Sequence, residues 1–113
     1  MINDTQLYIV PTPIGNMEDI TLRAIETLKN SNIILAEDTR HAKKLLKHYN
    51  ISAKVNSYHL NNEHKRVDEY VQMIINGNKV SLITDAGTPC ISDPGFLLIR
   101  EAIKNNILIT CLP

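Results

Sequence analysis

The segment "SLITDAGTPCISDPG" (residues 81–95) joins a buried-strand pattern to a rigid, polar turn. An apolar run ends at Thr84, and two Asp, two Gly and two Pro then follow within eleven residues before a helical pattern resumes at Phe96. Two or three residues would suffice to connect a strand to a helix, so this length and composition favour a binding role. The alternative is a capped helix start, which explains Ser92 and Asp93 but not the rest of the loop.

Strand and helix patterns alternate on both sides of this segment. Short apolar runs predict strands at residues 7–10, 33–36, 54–59, 79–84 and 107–112. Amphipathic spacing predicts helices at roughly residues 21–30, 39–49, 62–75 and 95–105. Pro11 is predicted to end the first strand, and Asn56 suggests that the third lies near an edge. The predicted fold is α/β, a five-stranded, mainly parallel sheet with helices on both faces, because right-handed crossovers join such strands.

Composition limits the classes of function. The 113 residues are 43% hydrophobic, which is enough for one core, and twelve basic residues balance twelve acidic ones. A neutral chain has no overall field to attract nucleic acid, so any such partner needs a local basic patch. The polar start "MINDTQ" and the short apolar runs indicate neither a signal peptide nor a membrane span. Cys90 and Cys111, both in apolar sequence surroundings, are interpreted as free thiols of a reducing cytoplasm.

Ligands of parallel sheets bind outside the carboxyl ends of the strands. The loop "PTPIGN" (11–16) lies at such an end, where two prolines fix the backbone and Gly15 permits close approach. It has neither the G-x-G-x-x-G pattern nor the P-loop lysine, so a polyphosphate cradle is not expected. An ordinary tight turn is the alternative. The loop at 85–95 likewise suits a polar, uncharged or zwitterionic small molecule rather than a polyphosphate.

The loop "AEDTRH" (36–41) places Glu37 and Asp38 side by side, with Arg40 next. Acidic residues at this point can bind a ribose hydroxyl, although a helix start capped by Asp38 or Thr39 explains them equally simply. The helix that follows has a basic face, normally a solvated one, which is also the best candidate for phosphate contacts. That face comprises Arg40, Lys43, Lys44, Lys47 and His48.

The histidines offer no further site by sequence alone. His59 and His64 have no cysteine or third ligand nearby, so they are interpreted as solvated side chains and no metal site is predicted. No Ser-His-Asp or Cys-His arrangement can be placed.

Three segments carry a family resemblance: "LYIVPTPIGNMEDITLRAIETL" (7–28), "LAEDTRHAKKLL" (35–46) and "LITDAGTPCISDPGFLLI" (82–99). In their order and spacing they resemble the tetrapyrrole methylase superfamily, the class III S-adenosylmethionine-dependent methyltransferases. Porphyrin and corrin methylases have a Gly-Asp-Pro sequence where this chain has Thr88 in place of the Asp. That difference resembles the small-subunit ribosomal RNA branch.

The resemblance implies methyl transfer from S-adenosylmethionine to the ribose 2′-hydroxyl of a cytidine in 16S ribosomal RNA of the small subunit. It implies a cytoplasmic homodimer in which the cofactor lies between two domains. Residues 1–113 would then form the N-terminal α/β domain, with the second domain absent from this chain. A tetrapyrrole or other small-molecule methylase, or a non-catalytic α/β binding or dimerisation module, are the alternatives.

The resemblance also implies roles for individual residues. Cofactor contacts are expected from Ile14, Thr88 and Ile91, and the cofactor pocket from Pro13, Gly15, Asp85, Gly87 and Pro89. Glu37, Asp38 and Arg40 are the catalytic candidates: one carboxylate would orient the target ribose, and Arg40 would contact a phosphate. RNA contacts are expected from Arg40, Lys43, Lys44 and Lys47.

Overall fold

A computed structural model describes residues 4–13, 15–85 and 92–113. Strands and helices alternate through this part of the chain. The strands are β1 (Leu7–Thr12), β2 (Ile33–Ala36), β3 (Lys54–Ser57), β4 (Val80–Asp85) and β5 (Ile109–Cys111). The helices are α1 (Leu22–Lys29), α2 (Thr39–His48), α3 (Glu63–Ile75) and α4 (Asp93–Lys104), and a 3₁₀ turn at Met17–Asp19 precedes α1.

The five strands form one sheet in the order β3-β2-β4-β1-β5. Every neighbouring pair is parallel, which confirms the predicted α/β fold. The polar strand β3 lies at one edge, as Asn56 suggested. The central position belongs to β4, the strand that leads into the loop at 85–95.

Helices cover both faces of the sheet because the strand residues alternate between two cores. On one face Ile9, Leu35 and Leu82 pack with residues of α3 and α4. On the other face Val10 and Ile34 pack with residues of α1 and α2. A strand buried on both faces reads as a continuous apolar run, which is why these strands were visible in the sequence.

Pro11 does not end β1, contrary to the prediction. The strand continues to Thr12 and stays paired with β4 throughout, whereas β5 pairs with Leu7–Ile9 alone. Beyond Ile9 the β5 side of β1 therefore carries no ladder that would need the amide hydrogen that proline lacks.

The fifth strand is shorter than predicted, and its cysteine is exposed. Strand β5 spans Ile109–Cys111 rather than residues 107–112. Within the described residues Cys111 is a free thiol, as expected, and it is exposed although its sequence neighbours are apolar. It lies at the end of an edge strand, which pairs with β1 on one side only.

Candidate functional site

The site lies where the sheet connections change direction. Helix α2 follows β2 and packs on one face, whereas α4 follows the adjacent strand β4 and packs on the other. The two connections diverge and leave a crevice at the carboxyl ends of these strands, the usual ligand position in such sheets. A cavity of about 320 Å³ occupies this crevice. It is lined by Ala36, Glu37, Asp38, His41, Ile83, Thr84, Asp85 and Ser92.

Strand register explains why the cavity is polar at its rim. Leu35 pairs with Leu82, so β4 continues to Asp85 while β2 ends at Ala36. The end of β4 therefore stands beyond its neighbour and presents Thr84 and Asp85 to the crevice. No Lys or Arg is among the described residues that line the cavity.

Asp38 and Glu37 play different structural roles. The Asp38 Oδ1 atom accepts hydrogen bonds from the backbone N–H groups of Arg40 (3.0 Å) and His41 (3.2 Å), which makes it the N-cap of α2. Of the two predicted caps, Asp38 rather than Thr39 is therefore correct. Glu37 is exposed at the cavity wall and has no part in this cap.

His41 is a wall residue that the sequence analysis missed. Its Nε2 atom is buried and has no hydrogen-bond partner within the described part of the chain. An unpaired buried polar atom costs about 1–3 kcal/mol, so such an atom beside a cavity is informative. Sequence spacing places His41 three positions after Asp38, in the first turn of α2, but it does not indicate that the Nε2 atom is buried.

The loop after β1 approaches the cavity from the other side of β4. The Thr12 hydroxyl donates to the Thr84 carbonyl oxygen at 3.3 Å, which fixes the end of β1 against β4. Pro13 is buried, and Gly15 is exposed; apart from its chain neighbours, no atom of the described residues lies within 4 Å of the position a Cβ would take. Ile14 lies outside the described residues.

Residues 86–91 of the loop after β4 (residues 85–95, called the third loop) also lie outside the described residues. They include Cys90, predicted to be a free thiol, and the predicted cofactor-site residues Gly87, Thr88, Pro89 and Ile91. The two ends of the third loop are defined. Asp85 is exposed at the end of β4, and Ser92 caps α4 by accepting a 3.3 Å hydrogen bond from the Gly95 N–H. Of the predicted caps Ser92 and Asp93, Ser92 is therefore correct.

The basic face of α2 is solvent-exposed but separate from the cavity. All its members are exposed, namely Arg40, Lys43, Lys44, Lys47 and His48. At the end of α2 the Tyr49 hydroxyl donates to the Met17 carbonyl at 2.5 Å, and His48 Nε2 lies 2.9 Å from Glu18 Oε1. These contacts attach α2 to the 3₁₀ turn that follows the first loop, so the basic face has a fixed position relative to that loop.

Two further properties bear on the chemistry. Within residues 4–13, 15–85 and 92–113, no group of three or more His, Cys, Asp or Glu side chains is arranged to hold a metal ion. None of the helices in the same ranges has the length and apolar character needed to cross a bilayer.

Comparison with known sequences places this architecture in a family. The family described as Tetrapyrrole (Corrin/Porphyrin) Methylases matches residues 6–113. The chain belongs to the tetrapyrrole methylase family.

Close relatives of this tetrapyrrole methylase chain share one name, "Ribosomal RNA small subunit methyltransferase I". The relative from Mycoplasmopsis pulmonis is 53% identical over 108 residues, which is 96% of this chain and 49% of the relative. The relative from Rickettsia prowazekii is 53% identical over 113 residues, 100% of this chain and 40% of the relative. The chain therefore spans half or less of the length of these relatives.

Solved structures agree with the methylase fold. A uroporphyrin-III-C-methyltransferase from Thermus thermophilus superposes with a TM-score of 0.73 at 15% identity, over 98% of this chain and 48% of that one. A cobalt precorrin-4 methyltransferase gives 0.71 at 21% identity, over 95% and 44%. At such identities the likeness concerns the fold alone.

Proposed function

We propose that the complete gene product transfers a methyl group from S-adenosylmethionine to the ribose 2′-hydroxyl of a cytidine in 16S ribosomal RNA. The observation that carries this proposal is 53% identity, along all 113 residues, to a protein named as a small-subunit ribosomal RNA methyltransferase. The crevice at the carboxyl ends of β2 and β4 supports it, because the loop after β2 and the two described ends of the loop after β4 line that crevice.

The crevice fits a positively charged methyl donor. The cavity has three acidic side chains, Glu37, Asp38 and Asp85, and the described part of its wall has no basic one. Opposite charges favour binding of a cation in such a site. When bound, S-adenosylmethionine supplies a methyl group activated by its sulfonium charge. In this proposal its contacts and pocket come from Pro13, Ile14, Gly15, Asp85, Gly87, Thr88, Pro89 and Ile91.

Positioning is the main task of the protein in this reaction. A displacement at a methyl carbon is accelerated chiefly by holding the attacking oxygen in line. Glu37, exposed at the cavity wall and not engaged in capping, is the carboxylate placed to orient the ribose. Asp38 contributes mainly by starting α2, because its Oδ1 already accepts two backbone hydrogen bonds.

RNA phosphates would be held beside the cavity rather than inside it. Arg40 stands at the start of α2, between the acidic cavity wall and the lysines of its exposed face. We assign phosphate contacts to Arg40, Lys43, Lys44 and Lys47. A local patch of this kind is what a chain of zero net charge needs to bind RNA.

The proposal extends to the organisation of the protein. This chain would supply the N-terminal wall of a cofactor cleft, and a second α/β domain would supply the other wall. The greater length of the relatives supports this arrangement. A cytoplasmic homodimer acting on the small ribosomal subunit is part of the same proposal.

Labelled methyl transfer tests the function. The complete gene product is incubated with methyl-labelled S-adenosylmethionine and unmodified small ribosomal subunits, with large subunits and a porphyrinoid as alternative acceptors. A 2′-O-methyl group removes the internal nucleophile of alkaline RNA cleavage, so the label should appear in an alkali-resistant dinucleotide from 16S RNA. Label in the porphyrinoid would favour the small-molecule methylase instead. Absence of both transfer and cofactor binding would favour the non-catalytic module.

A further inference from the structure

We propose that His41 is a catalytic residue whose Nε2 accepts the proton of the ribose 2′-hydroxyl. This inference rests on the proposed methyl transfer to ribose. It goes beyond that function by identifying the base, for which the sequence suggested no candidate.

The position of His41 is fixed by its helix. Its backbone N–H donates to Asp38 Oδ1 at 3.2 Å, in the capped first turn of α2. The side chain forms part of the cavity wall, together with residues from the ends of β2 and β4 and the cap of α4. A group held this way needs little reorganisation to meet a substrate.

The Nε2 atom calls for a partner that the described residues do not provide. It is buried and has no hydrogen-bond partner among them. Buried polar side-chain atoms in native proteins are nearly always paired, and each exception calls for an explanation, a catalytic role among them. A hydroxyl that enters the adjoining cavity would satisfy this nitrogen.

The described charged neighbours of His41 in the cavity are all carboxylates. Among the described residues, the titratable groups that share its cavity are Glu37 before α2, Asp38 at the α2 cap and Asp85 at the end of β4, while α4 contributes the neutral Ser92. All three titratable groups are acidic. An imidazolium formed by proton acceptance would therefore have carboxylates, and no described cation, in the same cavity.

The 2′-oxygen forms a bond to the methyl carbon while the carbon–sulfur bond of the donor breaks, and the electron pair of that bond stays on sulfur. The proton of the hydroxyl moves to Nε2, so the positive charge passes from the sulfonium to the imidazolium. His41 later releases the proton to water. Acceptance requires the tautomer with hydrogen on Nδ1 and a free electron pair on Nε2.

The experiment combines a tautomer measurement with kinetics on the complete gene product. Nitrogen-15 NMR of the wild-type imidazole, assigned by loss of its signals in His41→Gln, should show neutral His41 with hydrogen on Nδ1. His41→Gln and His41→Asn should each lower kcat about 100-fold or more, because neither amide accepts a proton at neutral pH. Both should also lose the acidic limb of the kcat–pH profile and keep the affinity for S-adenosylhomocysteine within about twofold.

His64→Gln is the matched control, since that imidazole is 84% exposed and lies on α3, away from the cavity wall. It should leave kcat and the pH profile unchanged. Neutral His41 with hydrogen on Nε2, or a folded His41→Gln enzyme with wild-type kcat and pH profile, would overturn the role of His41 while methyl transfer stands. A wild-type enzyme that transfers no methyl group to 16S RNA would instead overturn the proposed function and this inference with it.

Discussion

The Tyr58 hydroxyl donates a 2.7 Å hydrogen bond to the carbonyl oxygen of Pro94, a residue 36 positions later. Both residues are buried. Tyr58 follows β3 and packs edge-to-face on Tyr70 of α3, with ring centroids 5.6 Å apart. The bond therefore connects the edge of the sheet to the first turn of α4, which begins directly after the third loop.

Replacing Tyr58 by Phe should lower the free energy of unfolding by about 1–2 kcal/mol, because the Pro94 carbonyl loses its buried partner. Tyr70→Phe is the matched comparison. The Tyr70 hydroxyl donates to the Ser57 carbonyl at 2.8 Å in a partly buried setting, where water can replace it, so its removal should cost less. Urea denaturation of the three proteins measures both effects. An equal or larger decrease in Tyr70→Phe would contradict the ranking.

Alkaline pH should destabilise the fold through ionisation of Tyr58. Burial, assisted by the charge of Glu63, raises the pKa of Tyr58 well above the ordinary tyrosine value of 10.0. The unfolded chain therefore loses this proton first, so the stability contributed by the protonated hydroxyl is complete below the ordinary pKa of 10.0 and decreases as the pH rises beyond it. Unfolding free energies between pH 8 and 11 should fall less steeply in Tyr58→Phe than in the wild type. Identical slopes would show that the hydroxyl titrates as it does in the unfolded chain.

The main role of Asp38 should be to cap α2, and its negative charge should matter less. Asp38→Ala removes the acceptor of two backbone N–H groups and should cost about 1 kcal/mol, whereas Asp38→Asn keeps a capping oxygen and should cost little. Thermal melts give the stabilities, and methyl-transfer rates of the folded Asn variant report the carboxylate charge. Equal destabilisation by Ala and Asn would contradict the capping role.

Substitutions of Gly15 and Gly77 should distinguish a role in cofactor binding from a role in backbone conformation. Gly15→Ala should leave stability unchanged within about 0.5 kcal/mol, because in the described part of the chain no atom beyond its sequence neighbours lies within 4 Å of the added Cβ. It should still weaken cofactor binding if the cofactor approaches this loop closely. Gly77, which has φ +101° after α3, should give the reverse pattern: Gly77→Ala is destabilised by about 1–2 kcal/mol and binds normally. Calorimetry and denaturation on both variants check the contrast, and unchanged cofactor binding in Gly15→Ala would contradict the pocket role of that loop.

The lysines of α2 should act through phosphates. Replacing Lys43, Lys44 or Lys47 by Ala should weaken binding of small-subunit RNA and lower the slope of log K against log salt by about 1 for each phosphate that is no longer neutralised. Lys65→Ala on α3 is the control, since it removes an equally exposed charge from the other face of the sheet. RNA binding measured at several salt concentrations gives the slopes. If Lys65→Ala lowered RNA affinity and the salt slope as much as the α2 substitutions, the protein would attract RNA non-specifically.

The fold was readable from the sequence because its strands are buried on both faces and its helices are amphipathic. The sequence pattern predicted the end of β1 wrongly. Pro11 stays in that strand because the neighbouring strand β5 ends opposite Ile9. The candidate site was readable only in part. Glu37, Asp38 and Asp85 could be expected together, since they follow strands whose carboxyl ends meet at one edge. His41 could not, because its significance comes from burial and the lack of a partner among the described residues, which sequence spacing does not encode.

The central claim is that the loops at the carboxyl edge of the sheet bind the methyl donor. A crystal structure of the complete gene product with S-adenosylhomocysteine tests it most directly. The account predicts the ligand in the crevice bordered by the loops after β1 and β4, within contact distance of Gly15 and Asp85. A ligand bound at the amino ends of the strands or on the helical faces would contradict it. So would an empty crevice in a crystal grown with saturating S-adenosylhomocysteine.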